Sequence, residues 1–294
     1  MEKLRQIVIF IRYVGLILAN KAKLDKKKQS ILLKDYFRLK ILNILPRSIR
    51  RDIRKITFLG HKLYVFDFET TLALIESIFI ENEYFFMSKG KKPKIVDLGS
   101  NIGLSVIYFN TLFPHCEIDA FEADPTTCVI LRKNIESYNL KKVKIFNLAV
   151  TDKNGLINFY IDKVGSGSPL MSANPLRISN KTKIKVRSIK LSESINNPKD
   201  FLKMDVEGSE LKVLRDLDLS KKINLISQLS IEYHHHIDTD IDELSDFLNI
   251  LERNNFGYQI HAGQNSPFEL KIFEDIQIHS YKKSPQDRLV GICN

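Results

Sequence analysis

The sequence has no tryptophan, only three cysteines and no apolar run long enough to cross a bilayer. Cys116, Cys128 and Cys293 form no Cys-x-x-Cys pair and no Cys/His array, which excludes the common zinc modules. A membrane-spanning helix needs roughly 20 apolar residues, whereas the apolar stretch 7–19 is short and interrupted by Arg12. No small-residue cleavage site follows this stretch, so no signal peptide is predicted. These absences favour a globular cytoplasmic protein with reduced thiols.

Acidic residues are scarce in the first part of the chain. Residues 1–62 carry 17 Lys and Arg against four Asp and Glu, a net charge of +13. Residues 63–294 carry 28 against 31, a net charge of −3, so the whole-chain charge of +10 comes from the N-terminal segment. A near-neutral body argues against a nucleic-acid groove across it, and nucleic acid is therefore a disfavoured partner.

The basic N-terminal segment is also amphipathic. Apolar residues recur at helical spacing over residues 4–18, and a second helical pattern over residues 31–45 stops before Pro46. We therefore predict a basic amphipathic helical extension over residues 1–60 and a main domain over residues 61–294. Three interpretations of the extension stay open: a helical cap packed on the main domain, a peripheral contact of residues 1–45 with an anionic membrane, and an oligomerisation or partner surface.

From residue 94 onward, strand patterns alternate with helix patterns, which is typical of a parallel sheet covered by helices on both faces. Two additions are predicted: short strands at 155–162 and 182–189 that flank a Gly/Ser-rich loop at 165–169, and an antiparallel strand pair at 257–261 and 276–281 that closes the sheet. The alternating strands are predicted at 94–98, 117–121, 143–148, 201–205 and 225–233, and the helices at 102–113, 125–138, 210–217 and 241–254.

A glycine-spaced turn between a strand and a helix predicts a ligand site. Asp97 ends the first strand, Gly99 and Gly103 let the backbone approach a ligand closely, and the following helix begins with free N–H groups. Glu122 ends the next strand, 25 residues after Asp97, and a carboxylate there can accept both ribose hydroxyls of a nucleotide-type ligand. A dinucleotide fingerprint would have glycine where Asn101 stands, so S-adenosylmethionine is favoured over NAD.

Polar residues also follow the later strands. Because ligands bind at the carboxyl ends of strands in an open α/β sheet, Asn147, Asp205 and His234 are expected near the same ligand. His234 is a candidate general base, because imidazole titrates near neutral pH, and Asp205 is a candidate to orient the acceptor or cofactor or to act as the base. Glu207 and Glu210 come at a helix start, where the helix dipole favours acidic side chains.

Five segments resemble, in order, the motifs of FkbM-type methyltransferases. They are residues 96–103 (Val-Asp-Leu-Gly-Ser-Asn-Ile-Gly), 121–125 (Phe-Glu-Ala-Asp-Pro), 147–150 (Asn-Leu-Ala-Val), 202–210 (Leu-Lys-Met-Asp-Val-Glu-Gly-Ser-Glu) and 231–234 (Ile-Glu-Tyr-His). The resemblance covers roughly residues 61–281. Ala123 departs from the family, in which Pro is frequent at that position, and this does not affect Glu122.

The resemblance implies an α/β, Rossmann-like class I methyltransferase fold with a mostly parallel seven-stranded sheet. It also implies S-adenosylmethionine as the cofactor and O-methylation of a hydroxyl, often on sugars or polyketide-like natural products. Carried over to this sequence, the cofactor contacts are Asp97, Gly99, Ser100, Asn101, Gly103, Glu122, Ala123, Asn147 and Ala149, and the catalytic residues are Asp205, Glu207 and His234.

Alternatives to this interpretation remain at the level of the sequence. A divalent metal is a second option for activating the hydroxyl, with Asp205, Glu207, Glu232 and His234 as ligands, but these residues form no compact spacing motif and the metal is not favoured. The acceptor is expected to be a carbohydrate hydroxyl on a glycan or glycolipid, or a natural product. The alternative functions are an RNA methyltransferase and a non-catalytic ligand-binding or scaffold protein on the same fold.

Overall fold

Residues 2–50 are largely helical, whereas residues 55–58 form a strand inside the segment that the sequence predicts to be a helical extension. The computed structural model describes residues 2–162, 171–174, 176, 181–238, 241–263 and 273–283. The loop 165–169 and Cys293 lie outside the described residues. The first elements are α1 (Glu2–Ala19), α2 (Lys26–Asn43), α3 (Arg47–Arg50), β1 (Lys55–Phe58), β2 (His61–Tyr64) and α4 (Phe68–Ile75), which continues as a π-helical turn at Glu76–Glu81. Within these described ranges, no helix is both long and apolar enough to cross a membrane.

The remaining elements follow the predicted alternation. They are β3 (Lys94–Leu98), α5 (Leu104–Leu112), β4 (Glu117–Phe121), α6 (Pro125–Ser137), β5 (Val143–Phe146), β6 (Ala149–Thr151), β7 (Gly155–Asp162), β8 (Met171–Ser172), β9 (Lys181–Lys190), α7 (Leu191–Ser194), β10 (Lys199–Met204), α8 (Glu210–Leu219), a 3₁₀ turn (Lys222–Leu225), β11 (Ile226–His235), α9 (Leu244–Arg253), β12 (Phe256–His261) and β13 (Glu274–Lys282).

The main sheet has seven strands in the order β12-β13-β11-β10-β3-β4-β5. Strands β3, β4, β5, β10 and β11 pair in parallel, and β13 runs antiparallel to both β11 and β12. This is the predicted class I methyltransferase arrangement, with one reversed strand near the sheet edge. The chain leaves β3 toward β4 on one side and returns at β10 on the other, so the direction of winding reverses between β3 and β10. Ligands bind at such a reversal in open α/β sheets.

Strands β6–β9 form a separate four-stranded sheet in the order β6-β9-β7-β8. It contains the two added strands that the sequence predicts, paired in antiparallel fashion as β7 and β9. Phe159, Val186 and Ala149 form its small apolar cluster, and Ala123 from the loop after β4 packs against that cluster. The added sheet therefore lies beside the carboxyl-end edge of the main sheet, where the predicted ligand residues are.

The first two helices pack on the main sheet and share its core. Ile17, Leu32, Tyr36 and Leu39 belong to one buried cluster that also contains Ile95 of the central strand β3. A second cluster covers the opposite face of the sheet with residues of α8 and α9. The division at residue 60 stays a prediction, and it falls in the turn between the paired strands β1 and β2.

Candidate functional site

The turn after β3 is held by the neighbouring strand β4. The backbone N–H groups of Gly99 and Ser100 both donate to the carbonyl oxygen of Phe121, at 3.0 and 2.9 Å. Gly99 has φ +76°, and a Cβ at this position would lie 1.9 Å from the carbonyl oxygen of Asp205. Only glycine fits such a close approach of two backbones. The turn thus brings the ends of β3, β4 and β10 together.

Glu122 is buried at the end of β4, and its carboxylate faces two backbone donors. Its Oε2 accepts from the N–H of Asn101 at 2.9 Å, and its Oε1 accepts from the N–H of Asp124 at 2.8 Å. Burial raises the pKa of Glu122 to about 7, although these two N–H groups oppose the shift. Each carboxylate oxygen keeps a second lone pair for a ligand hydroxyl.

Asp97 is fully buried and lies beside a buried lysine that the sequence interpretation gave no role. Ser105 Oγ donates to Asp97 Oδ2 at 2.6 Å. Lys203 Nζ lies 3.7 Å from Asp97 Oδ1 and 3.3 Å from Asp205 Oδ2, and it donates to the carbonyl oxygen of Gly99 at 2.7 Å. Burial lowers the pKa of Lys203, but Asp205 and Asp97 outweigh burial and the net shift is upward. Lys203 therefore links the carboxylates of two strand ends.

The end of β5 supports the β4 loop. Asn147 Nδ2 donates to the carbonyl oxygens of Glu122 and Ala123, at 2.8 and 3.1 Å. The side chain that the sequence assigned to the cofactor thus fixes the backbone on either side of Glu122. Ser100 likewise uses its hydroxyl locally, because Ser100 Oγ donates to the carbonyl oxygen of Asp97 at 3.1 Å.

A pocket of about 580 Å³, including its open mouth, lies at this edge of the sheet. Apolar residues, among them Phe121, Val150 and Phe159, form much of its wall. The lining includes seven of the predicted site residues: Gly99, Asn101, Glu122, Ala123, Ala149, Asp205 and Glu207. The other five predicted residues are not among the residues that line it: Asp97, Ser100, Gly103, Asn147 and His234. They support the wall from behind or lie deeper in the fold.

The residues around this pocket fit S-adenosylmethionine. The Gly99 turn leaves room where a Cβ would fill the space, and the buried carboxylate of Glu122 can accept from a ribose. Asp97 Oδ1 is buried and, within the described part of the chain, has no hydrogen-bond donor. This oxygen lies 3.7 Å from Lys203 Nζ and keeps hydrogen-bonding capacity, which suits the ammonium group of a methionine end, reached directly or through water.

His234 lies at the end of β11 with its side chain fully buried. Its Nδ1 lies 2.9 Å from Glu210 Oε1, in hydrogen-bond geometry. Its Nε2 lies 3.1 Å from Glu207 Oε2 and 3.9 Å from Asp205 Oδ1. The three predicted catalytic residues therefore meet in space. Burial lowers the pKa of His234, but Glu210 and Glu207 outweigh burial and raise it well above its ordinary value.

The loop between β10 and α8 presents Glu207 in an uncommon conformation. Glu207 has φ +54°, in the left-handed region that non-glycine residues rarely adopt, and Gly208 follows with φ +96°. Glu210 holds this loop, since its Oε1 accepts from the N–H groups of Val206 and Gly208 at 3.1 and 3.0 Å. Strained residues of this kind cluster at functional sites.

Sequence analysis did not identify the structural roles of two residues in the site, Glu210 and Lys203. Glu210 stands at a helix start, as the dipole argument states, but it also fixes Nδ1 of His234. Lys203 lies within strand β10, where the alternation of residues alone gives no sign of a functional role. A lysine flanked by Leu202 and Met204 in a strand of buried apolar residues was the available signal, because lysine is rarely buried unless it is paired.

Comparisons with known proteins agree with this geometry. The methyltransferase FkbM domain matches residues 97–260, more than half of the chain. Methyltransferase 1 of Beauveria bassiana (strain ARSEF 2860) is 27% identical over 221 residues, covering 67% of this chain and 86% of that protein. The 2-O-methyltransferase NoeI of Sinorhizobium fredii (strain NBRC 101917 / NGR234) is 28% identical over 138 residues, covering 42% and 56%.

Among solved structures, M. jannaschii TYW2 in complex with AdoMet is 13% identical and aligns with a TM-score of 0.44, covering 78% of this chain and 86% of that one. The domain match spans the glycine turn, the Glu122 strand end and the Asp205–His234 cluster. The chain therefore belongs to the FkbM methyltransferase family and is an S-adenosylmethionine-dependent methyltransferase.

Proposed function

We propose that this enzyme is an O-methyltransferase that methylates a hydroxyl of a glycan, glycolipid or small natural product. The observation that carries the proposal is the convergence of Asp205, Glu207 and His234 at the edge of the sheet, with the two carboxylates lining the cofactor pocket. A hydroxyl acceptor must lose a proton when it is methylated, and carboxylate and imidazole groups are the usual proton acceptors. The similarity to NoeI, a 2-O-methyltransferase, supports the same class of reaction.

The cofactor end of the pocket would be organised by three groups. S-adenosylmethionine supplies an electrophilic methyl group when it is bound. Glu122 accepts the ribose hydroxyls, Asp97 attracts the ammonium group, and the turn at Gly99 lets backbone approach the ligand closely. Lys203 keeps Asp97 and Asp205 from repelling each other, since its Nζ lies within 3.7 Å of one and 3.3 Å of the other.

The acceptor end would be organised by the carboxylates. The acceptor hydroxyl donates its hydrogen bond to Asp205 or Glu207, and that carboxylate receives the single proton as the oxygen attacks the methyl group. Glu210 holds His234 in a fixed orientation behind them. The apolar residues Phe121, Val150 and Phe159 line the pocket and would help to keep water away from the bound cofactor. The acidic rim also disfavours a polyanionic RNA acceptor, because RNA binding needs basic groups at the phosphate backbone.

The test is a methyl-transfer assay with labelled S-adenosylmethionine and a panel of mono-, oligo- and lipid-linked sugars and polyketide alcohols. We expect label to enter a hydroxyl of at least one class, and Asp205→Asn to lower kcat by about 10²- to 10⁴-fold. The matched control is Asp242→Asn, since Asp242 contacts His236 outside this pocket. Transfer to an amine or to RNA, with no transfer to any hydroxyl, would contradict the proposal.

We further propose that α1 and α2 rest on an anionic membrane surface and bring the enzyme to a lipid-linked or membrane-proximal acceptor. Ile7 and Ile11 of α1 are 54% and 63% exposed, and Ile41 of α2 is 65% exposed. The rings of Phe10 and Phe37 meet edge to face at 5.0 Å, so the two helices lie side by side. Exposed aliphatic side chains on a segment of net charge +13 complement anionic lipid headgroups.

Liposome flotation tests this membrane contact. Vesicles containing phosphatidylserine should carry the enzyme at low salt, and neutral vesicles should carry less of it. Replacing Ile7 and Ile11 by Ser should weaken the binding without unfolding the protein, because both side chains are exposed. Equal flotation of that variant and the parent protein would contradict the proposal.

A further inference from the structure

We propose that Asp205, Glu207 and His234 form a binding site for a divalent transition-metal ion at the acceptor end of the pocket. One ligand atom from each residue lies within 4.8 Å of the others. This inference deepens and rests on the proposed O-methyltransferase function, because the ion would bind the oxygen that is methylated. The sequence did not favour a metal, since these residues form no compact spacing motif, and the fold brings them together from β11 and the loop after β10.

The first argument is the position of the His234 imidazole. Its side chain is fully buried, and its Nε2 points toward Glu207 and Asp205. Among the residues that the structure describes, Nε2 has no partner in hydrogen-bond geometry. A buried ring nitrogen that lies 3.1 Å from a carboxylate oxygen without well-formed hydrogen-bond geometry can exchange its proton for a metal ion held between the two groups.

The second argument is the tautomer that Glu210 selects. Because Nδ1 faces Glu210 Oε1 at 2.9 Å, Nδ1 keeps its proton, and an ion would bind at Nε2 by displacing the proton that the neighbouring carboxylates favour there. Glu210 is itself fixed by the N–H groups of Val206 and Gly208. A histidine whose second nitrogen donates to a carboxylate is the usual support of a metal-binding imidazole.

The third argument is local charge. Besides Asp205 and Glu207, the carboxylate of Asp275 lies 3.8 Å from Nε2 of His234. Glu232 belongs with His234 and Asp275 to an overlapping set of potential ligands. With Glu210, five carboxyl groups surround one imidazole, and a divalent cation in this partly buried site would relieve the repulsion between those that are ionised.

The donor set indicates the kind of ion. Two carboxylates and one imidazole leave further coordination positions for water or an acceptor oxygen, which suits Mn²⁺, Fe²⁺ or Zn²⁺. Mg²⁺ prefers oxygen ligands and strict octahedral geometry, so we expect it to bind more weakly. An ion here would face the pocket, because Asp205 and Glu207 line it, and could polarise a hydroxyl of the acceptor as a Lewis acid.

The test is direct titration of the full chain with Mn²⁺. Binding is measured as the loss of the free Mn²⁺ signal in electron paramagnetic resonance. We expect one Mn²⁺ per chain, competition by Zn²⁺, and affinity at least about tenfold lower in Glu207→Gln. If Glu207→Gln is destabilised, Mn²⁺ affinity is measured with Asp205→Asn instead, and the same loss is expected. The matched control is Asp242→Asn, which alters the more exposed His235–His236–Asp242 cluster and should leave the tight site intact.

Two outcomes would overturn the metal site. One is failure of Mn²⁺, Zn²⁺ and Mg²⁺ to bind a folded protein that binds S-adenosylhomocysteine. The other is Mn²⁺ binding that Asp242→Asn removes and Glu207→Gln retains. Methyl transfer to a hydroxyl that persists without any bound metal would leave the proposed function standing without the ion. Mn²⁺ binding at the proposed residues without transfer to any hydroxyl would leave the ion site standing without that function.

Discussion

At the scale of the residue, the site depends on a few groups that are buried and paired. Glu122 and Lys203 are 4% and 2% exposed, and each would be costly without its partners. Glu122 has two backbone donors, and Lys203 has a carboxylate on either side. Substitution of Glu122 should therefore mainly weaken cofactor binding, whereas substitution of Lys203 should mainly lower the stability of the fold.

Glu122→Gln should weaken binding of S-adenosylhomocysteine by about 1.5–3 kcal/mol, or roughly ten- to hundredfold, because charge-assisted hydrogen bonds to the ribose are lost. Only the ionised carboxylate can accept from both hydroxyls. Since the pKa of Glu122 is about 7, affinity of the parent protein should fall as the pH drops below 7 and level off above it. Calorimetric titration at several pH values measures this, and an equally steep pH dependence in Glu122→Gln would contradict the assignment.

Lys203→Met should lower the free energy of unfolding by about 3–5 kcal/mol, because it leaves the carboxylates of Asp97 and Asp205 without their buried cation. The matched control is Lys199→Met, which breaks the more exposed pair between Lys199 and Asp119. That change should cost about 1 kcal/mol or less. Urea denaturation of both variants provides the comparison, and equal losses would show that Lys203 has no special structural role.

Gly99→Ala should lower stability and ligand binding far more than the same substitution at another glycine with a positive φ. Gly60 also has a positive φ, +81°, but a Cβ there would meet nothing within 4 Å. Gly60→Ala should therefore cost only the backbone strain, about 1–2 kcal/mol. Gly99→Ala adds a clash with the carbonyl oxygen of Asp205, so it should also abolish binding of S-adenosylhomocysteine. Thermal melting and calorimetry measure the two effects.

At the scale of the element, α1 has one face in the core and another in solvent. Ile17 is 4% exposed and belongs to the cluster shared with the sheet, whereas Ile11 is 63% exposed. Gln29 of α2 ties the helices together, because its Nε2 donates to the carbonyl oxygens of Ile17 and Leu18 at 2.9 and 3.1 Å. One face of α1 thus packs in the hydrophobic core, and the other face is exposed and available for a partner.

Two substitutions in α1 separate these roles. Ile17→Ala should destabilise the protein by about 2–5 kcal/mol, because it opens a cavity in the core. Ile11→Ala should change stability by no more than about 0.5 kcal/mol, because the side chain is largely in solvent, while reducing liposome flotation. A destabilising Ile11→Ala would show that this face is covered by the protein itself.

At the scale of the whole molecule, the N-terminal helices and the main sheet share one hydrophobic cluster. A chain that lacks residues 1–45 should therefore expose the surface that Ile17, Leu32, Tyr36 and Leu39 cover, and should melt earlier or aggregate. Circular dichroism and size-exclusion chromatography would measure this effect. A truncated chain that elutes without aggregation and melts at the parent temperature would contradict the shared core.

Much of the fold could be predicted from local pattern. The strand at 94–98, the strand at 117–121 and the reversed final strand follow from apolar runs, glycine turns and strand spacing, and the structure confirms them. Boundaries were less accurate where turn geometry decides. The helix predicted from residue 102 begins at Leu104, because Ser100 to Gly103 form a turn closed by the bond from the Gly103 N–H to the Ser100 carbonyl.

The sequence by itself determined the family, the cofactor and the strand ends at which Asp97, Glu122, Asp205 and His234 lie, because those features are carried by short contiguous motifs. Only the tertiary structure decided what these groups contact. Lys203 joins Asp97 to Asp205 across neighbouring strands, and Glu210 orients His234 across 24 residues of chain. The physical reason is that hydrogen bonds and ion pairs depend on separations of a few ångströms between strands, which packing sets and sequence spacing does not specify.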